Sequence, residues 1–159
     1  MSPYQVVIHK SVLTTLIAWF YAVKPKEGYA LLGGVISHRF VYKVDCAYMP
    51  TEQLTSKDNF TFTDKAKMEA ASWVAKQKCE LLGIAHSHIY PELNNYGVCQ
   101  SVDDAILQQE NHLTLSAVIA FFGDSAAIEF WLNGFSAPLT ARMRVGKRIL
   151  DIPHTLRLS

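Results

Sequence analysis

The segment Gly83-Ile-Ala-His86-Ser-His88 sets two imidazoles two residues apart in a run that otherwise reads as a strand. Side chains i and i+2 of a strand point to the same side, so His86 and His88 would face one way and Ser87 the other. Two imidazoles so placed suit two ligands on one metal ion. Further on, Ser101-Val-Asp103-Asp104 opens what reads as a helix. Residues three apart share a helix face, so Ser101 and Asp104 can address one point. Two histidines and one carboxylate would make a three-ligand zinc site with the fourth position left for water, whose pKa falls towards about 7 on zinc. A hydrolase of this kind also needs a base that is not a ligand. Each half has a simpler reading. The histidines could be surface or packed residues, and Ser-x-x-Asp could be a helix N-cap with a favourable charge at the positive helix end. Their order and proximity raise the case for one joint site.

The elements that must position these groups follow from periodicity. Val6-Val-Ile8 reads as a short first strand. Ser11 reads as a helix N-cap, followed by an apolar stripe of Leu13, Leu16, Ile17, Phe20 and Tyr21, and Pro25 stops that helix. Residues 29–36, with Gly33 and Gly34, read as a buried strand; 40–48 alternate through Phe40, Tyr42, Val44, Cys46 and Tyr48 as a half-exposed one. Residues 60–62 form a short strand. Thr63 or Asp64 caps a second helix with Ala66, Ala70, Trp73, Val74 and Gln77 on one face. Residues 81–88 form a strand, apolar first and polar at its end. That order puts the histidines at the C-terminal end, where α/β sites open. Residues 89–100 are a loop, and Ser101 caps a third helix reaching about Asn111. Residues 113–122 and 126–132 form a hairpin around Gly123-Asp124-Ser125, and one more strand or helix piece follows. The expectation is a single α/β (α+β) domain over 1–159 with a central mixed β-sheet flanked by helices.

Composition narrows the function classes. Of 159 residues, 50% are hydrophobic and 18% charged, which supports a buried core. Fifteen basic against fourteen acidic residues give a net charge of +1, so no strong field favours nucleic acid or acidic lipid. The longest apolar candidate, 113–132, is broken by Gly123, Asp124 and Glu129, so no membrane span is expected. The first residues show no secretory signal. Three cysteines, Cys46, Cys79 and Cys99, with no close pairing do not read as a disulfide framework. The expectation is a cytoplasmic protein with reduced thiols. The apolar content leaves room for a homodimer or a partner face. Arg142, Arg144, Lys147, Arg148 and Arg157 form a basic C-terminal cluster, read either as a contact for an acidic partner or, more simply, as a solvated face.

Glu27-Gly-Tyr-Ala-Leu-Leu-Gly-Gly34 resembles the Glu-containing segment that follows the first helix of JAMM (JAB1/MPN+/Mov34) zinc metalloproteases. In that family a distant Glu precedes His-x-His and then Ser-x-x-Asp, and the whole set occurs here in that order, over roughly residues 11–130. The resemblance implies the short prokaryotic JAB-domain type, with an MPN-like (cytidine deaminase-like) fold and one Zn2+ per chain. It implies that His86, His88 and Asp104 are zinc ligands. Asp103 competes for that role, and the Ser-x-x-Asp spacing favours Asp104. It implies that Glu27 is the general base acting on zinc-bound water and that Ser101 hydrogen-bonds the oxyanion.

Two features depart from the family pattern. Ile89 stands where a proline usually follows His-x-His. The loop of 89–100 is about five residues longer than usual, a length that costs little in closure entropy. Glu92 and Cys99 lie in it and either could ligate zinc in a resting, inhibited form; the simpler reading is a solvated loop.

The implied function is cleavage of the peptide or isopeptide bond after the C-terminal glycine of a ubiquitin-like or sulfur-carrier protein. Such a substrate brings an E1-like adenylating enzyme as a further partner. A non-catalytic MPN-type scaffold and a zinc hydrolase of small peptides are the competing readings.

Overall fold

The computed structural model describes residues 4–50, 54–55, 60–61, 64–90, 115–133, 135 and 137–158. Among them the chain runs β1 (Gln5–His9), α1 (Lys10–Ala22), β2 (Tyr29–Ile36), β3 (Val41–Tyr48), β4 (Leu54–Thr55), β5 (Phe60–Thr61), α2 (Asp64–Lys76), β6 (Glu80–Tyr90), β7 (Leu115–Phe122), β8 (Ser125–Leu132), β9 (Thr140–Val145), β10 (Arg148–Asp151) and β11 (Leu156–Arg157). Nine strands form one mixed sheet in the order β10-β9-β1-β3-β2-β6-β7-β8-β11, and β4 pairs with β5 apart from it. This is the mixed α+β architecture that the sequence predicts. No helix among the described residues is long and apolar enough to cross a membrane. The expected third helix at 101–111 lies outside the described residues.

Each helix covers one face. Leu13, Leu16 and Phe20 of α1 pack with Ile8, Val44, Ala85, Ile119 and Phe130 in the larger core. Ala70 of α2 packs with Tyr29, Leu31 and Ile84 in a smaller core on the other side. The start of α1 differs from expectation: Ser11 is not the cap. His9 occupies the N-cap position without a side-chain hydrogen bond. The strand pairing runs up to His9 opposite Arg144, so sheet pairing and not capping sets where the helix begins. The α2 helix also ends early, leaving Gln77 exposed beyond it. Lys78 takes a left-handed φ of 58°, with Lys78 N donating to Ala75 O and Cys79 N to Val74 O. This is the two-bond Schellman ending, built here on a lysine where glycine is usual.

Two bulges shape the middle of the sheet. The register of β2 shifts between Gly33 and Gly34 against β3, and between Leu32 and Gly33 against β6. A Cβ on Gly34 would run into the Lys43 carbonyl, so only glycine allows this approach. The extra residue on β3 is Asp45, and it flips the strand's faces. Tyr42 and Val44 belong to the α1 core, whereas Tyr48 packs against the α2 core, its ring 5.5 Å from that of Trp73. The predicted single alternation from Phe40 to Tyr48 is therefore corrected. Phe40 itself is exposed, with φ 61°, in the turn before β3.

Candidate metal centre

The strand β6 opens on Glu80, runs apolar from Leu81 to Ala85 and carries His86, Ser87 and His88 at the middle of the sheet, between antiparallel β2 and parallel β7. It continues through Ile89 and Tyr90, paired with Phe121 and Phe122, so the expected loop start at 89 is corrected. Burial is nearly complete: His86 is 1% exposed, Ser87 0% and His88 9%. Period-two geometry holds as predicted. The two imidazoles continue the face of Ile84, on the α2 side, with ring centroids 4.9 Å apart and planes at 61°. Their Nε2 atoms stand 3.2 Å from each other. Ser87 points to the opposite face.

The neighbouring strand brings up Glu27. Tyr29 pairs with His86 in an antiparallel register. Gly28 N donates to Ser87 Oγ at 2.9 Å, and Ser87 N donates to Gly28 O at 3.1 Å. Continuing this register sets half-buried Glu27 across from His88, on the face of Tyr29 and of both histidines. The hydrogen bonds follow this pairing as far as Gly28 and Ser87, the residues next to Glu27 and His88.

The spacing of the pair suits two ligands of one metal ion. With Zn–N bonds of about 2.0–2.1 Å, the 3.2 Å Nε2 separation subtends about 99–106° at the ion, near the tetrahedral angle. The same separation also admits a single Nε2–H···Nε2 hydrogen bond between neutral rings. Among the described residues no group of three or more His, Cys, Asp and Glu converges. The expected third ligand, Asp104, lies outside them, as do Asp103, Ser101, Glu92 and Cys99. The structure therefore brings together His86 and His88, while Glu27 stands just before the paired part of β2 and does not complete a three-residue group with them.

Other titratable groups stand away from this centre. His9 Nε2 lies 3.4 Å from Asp45 Oδ1. Cys46 and Cys79, far apart in sequence, meet beside Gly33 as free thiols. Burial first, then Cys79 and Asp45, push the Cys46 thiol up to about 12. No local pattern signals this encounter, because α2 and a bulged strand create it. Burial also raises the Glu129 carboxyl, partly offset by His154.

No protein-family model matches the chain, and no curated protein matches it. Among solved structures, the fold is similar to the solution structure of protein DSY2949 from Desulfitobacterium hafniense. The TM-score is 0.66 at 16% sequence identity, over 87% of this chain and 92% of that one. At that identity the likeness concerns the fold alone.

Proposed function

We propose that this chain is a zinc-dependent metallopeptidase of JAMM type. Its substrate bond is the peptide or isopeptide bond after the C-terminal glycine of a ubiquitin-like or sulfur-carrier protein. One observation carries the reading: two buried imidazoles converge with their Nε2 atoms 3.2 Å apart, beside the start of β2, which Glu27 precedes by two residues. His86, His88 and Asp104 would hold one zinc ion. When bound, zinc supplies a Lewis acid for the scissile carbonyl and lowers the pKa of water. Glu27 takes the proton of the attacking water and hands it to the leaving amine. Ser101 donates a hydrogen bond to the developing oxyanion. The burial of both histidines keeps their lone pairs aimed and excludes bulk water from one side of the centre. An E1-like adenylating enzyme is the partner such a substrate entails, and the setting is cytoplasmic.

The test is a cleavage assay on a fusion of a ubiquitin-like protein ending in Gly-Gly. Wild type should release the downstream segment, and Glu27→Gln should keep its zinc while losing about 10²–10⁴-fold in turnover. Cleavage of a free dipeptide without cleavage of the fusion would point to a small-peptide hydrolase. Zinc binding without any cleavage would point to a scaffold. Loss of zinc in Glu27→Gln would make Glu27 a ligand and contradict its role as base.

A further inference from the structure

The α2 side of the sheet is only partly covered. Along β1, Val6 and Ile8 are buried in the α1 core, so Gln5, Val7 and His9 face the other way. On that side Val7 pairs with Lys43 of β3 and with Arg142 of β9, while His9 pairs with Arg144. The register thus lays three cations across neighbouring strands. Arg39, from the turn before β3, joins Lys43, Arg142 and Arg144 around a concavity of about 400 Å³. Val7, Val41 and Ile149 add aliphatic lining among the cations, with Gln5, Ser37 and His38 completing it. No carboxylate and no Phe, Tyr or Trp lines it among the described residues. Asp151 stands 3.7 Å from Arg142, but its side chain is 94% exposed, and an ion pair so solvated holds little.

We propose that this face docks an acidic, extended segment of a partner protein. Three features select that occupant. A chain whose net charge is only +1 concentrates cations here, so the attraction is local to the face. Guanidinium forks of Arg39, Arg142 and Arg144 match carboxylates bidentately. Aliphatic side chains set among the cations suit a strand that alternates carboxylate and apolar side chains. Single-stranded nucleic acid is disfavoured, because its bases need aromatic platforms and no Phe, Tyr or Trp lines the concavity among the described residues. The face is remote from the histidine pair: Val35 at one end of β2 meets Lys43, while Tyr29 at the other meets His86. The inference rests on charge and shape and not on the metal reading, so either can fail alone.

The probe is a fluorescein-labelled peptide of alternating glutamate and valine, titrated with the full chain by fluorescence anisotropy. A lysine–valine peptide, a short oligodeoxythymidine and a short DNA duplex are the other arms. The acidic peptide should bind saturably, more weakly as salt rises, and the lysine peptide should not bind. The double variant Lys43→Glu/Arg144→Glu should weaken the acidic peptide at least about tenfold. Arg39→Glu, in a surface turn, gives the same direction of change should the double variant melt early. Tighter binding of either nucleic acid than of the acidic peptide would overturn the proposal, as would unchanged peptide affinity in a folded variant.

Discussion

Ser87 and Gly28 hold each other through two hydrogen bonds across the paired strands: Gly28 N to Ser87 Oγ at 2.9 Å and Ser87 N to Gly28 O at 3.1 Å. The side chain between the two histidines therefore works on the far face of the sheet. It ties down the residue that follows Glu27. The strand that carries the imidazoles thus also anchors Gly28, the residue next to Glu27.

Removing that hydroxyl should cost stability. In Ser87→Ala the buried Gly28 N–H loses its partner, a penalty of about 1–3 kcal/mol. Urea unfolding should show a lower midpoint with an unchanged slope. Zinc stoichiometry should survive, since both imidazoles remain. A Ser87→Ala midpoint equal to wild type would show that the bond contributes nothing.

The Gly33-Gly34 bulge makes a contrast with the hairpin turn. Gly34→Ala forces a Cβ into the Lys43 carbonyl, and backbone cannot step aside cheaply. We expect a loss of more than about 3 kcal/mol, enough to reduce soluble yield. Gly123→Ala, at φ 61° with open space around it, should cost only about 1 kcal/mol. Equal melting temperatures for the two variants would contradict the steric account.

What the sequence reveals depends on how local the cause is. The direction of His86 and His88 follows from a two-residue period within one strand, and β2 is readable because eight residues, apolar or glycine, run unbroken. The flip between Val44 and Cys46 is not readable, because it arises from a bulge negotiated with β2. Lys78 does the work of a glycine, so no helix-stop signal marks it. After residue 132 one strand or helix piece is expected, and three strands, β9, β10 and β11, are found. Ala141, Met143 and Val145 alternate with Arg142 and Arg144, a period-two pattern within what otherwise reads as a basic cluster. Their placement beside β1 is a pairing between distant ends of the chain, which no local pattern encodes. The pairing that brings Tyr29 opposite His86 is likewise a matter of register.

The Cys46 thiol gives a test by chemistry. Pushed up to about 12, chiefly by burial, it carries little thiolate near neutrality. Iodoacetamide at pH 8 should label Cys46 in the folded chain at least about tenfold more slowly than in the urea-unfolded chain, read by peptide mass spectrometry. The sign for stability follows. The value in the fold lies above the ordinary 9.0, so the contribution is complete below about pH 9 and is lost as pH rises towards about 12. Labelling as fast in the folded as in the unfolded chain would contradict it.

The convergence of His86 and His88 on one metal ion is tested most directly by zinc content. The chain, reconstituted with zinc and freed of excess, is measured by inductively coupled plasma mass spectrometry beside His86→Ala. The account predicts about one zinc per wild-type chain and almost none in the variant, with the variant still melting cooperatively because the apolar core folds without the ion. Wild type without zinc, or a folded His86→Ala that keeps it, would contradict the account.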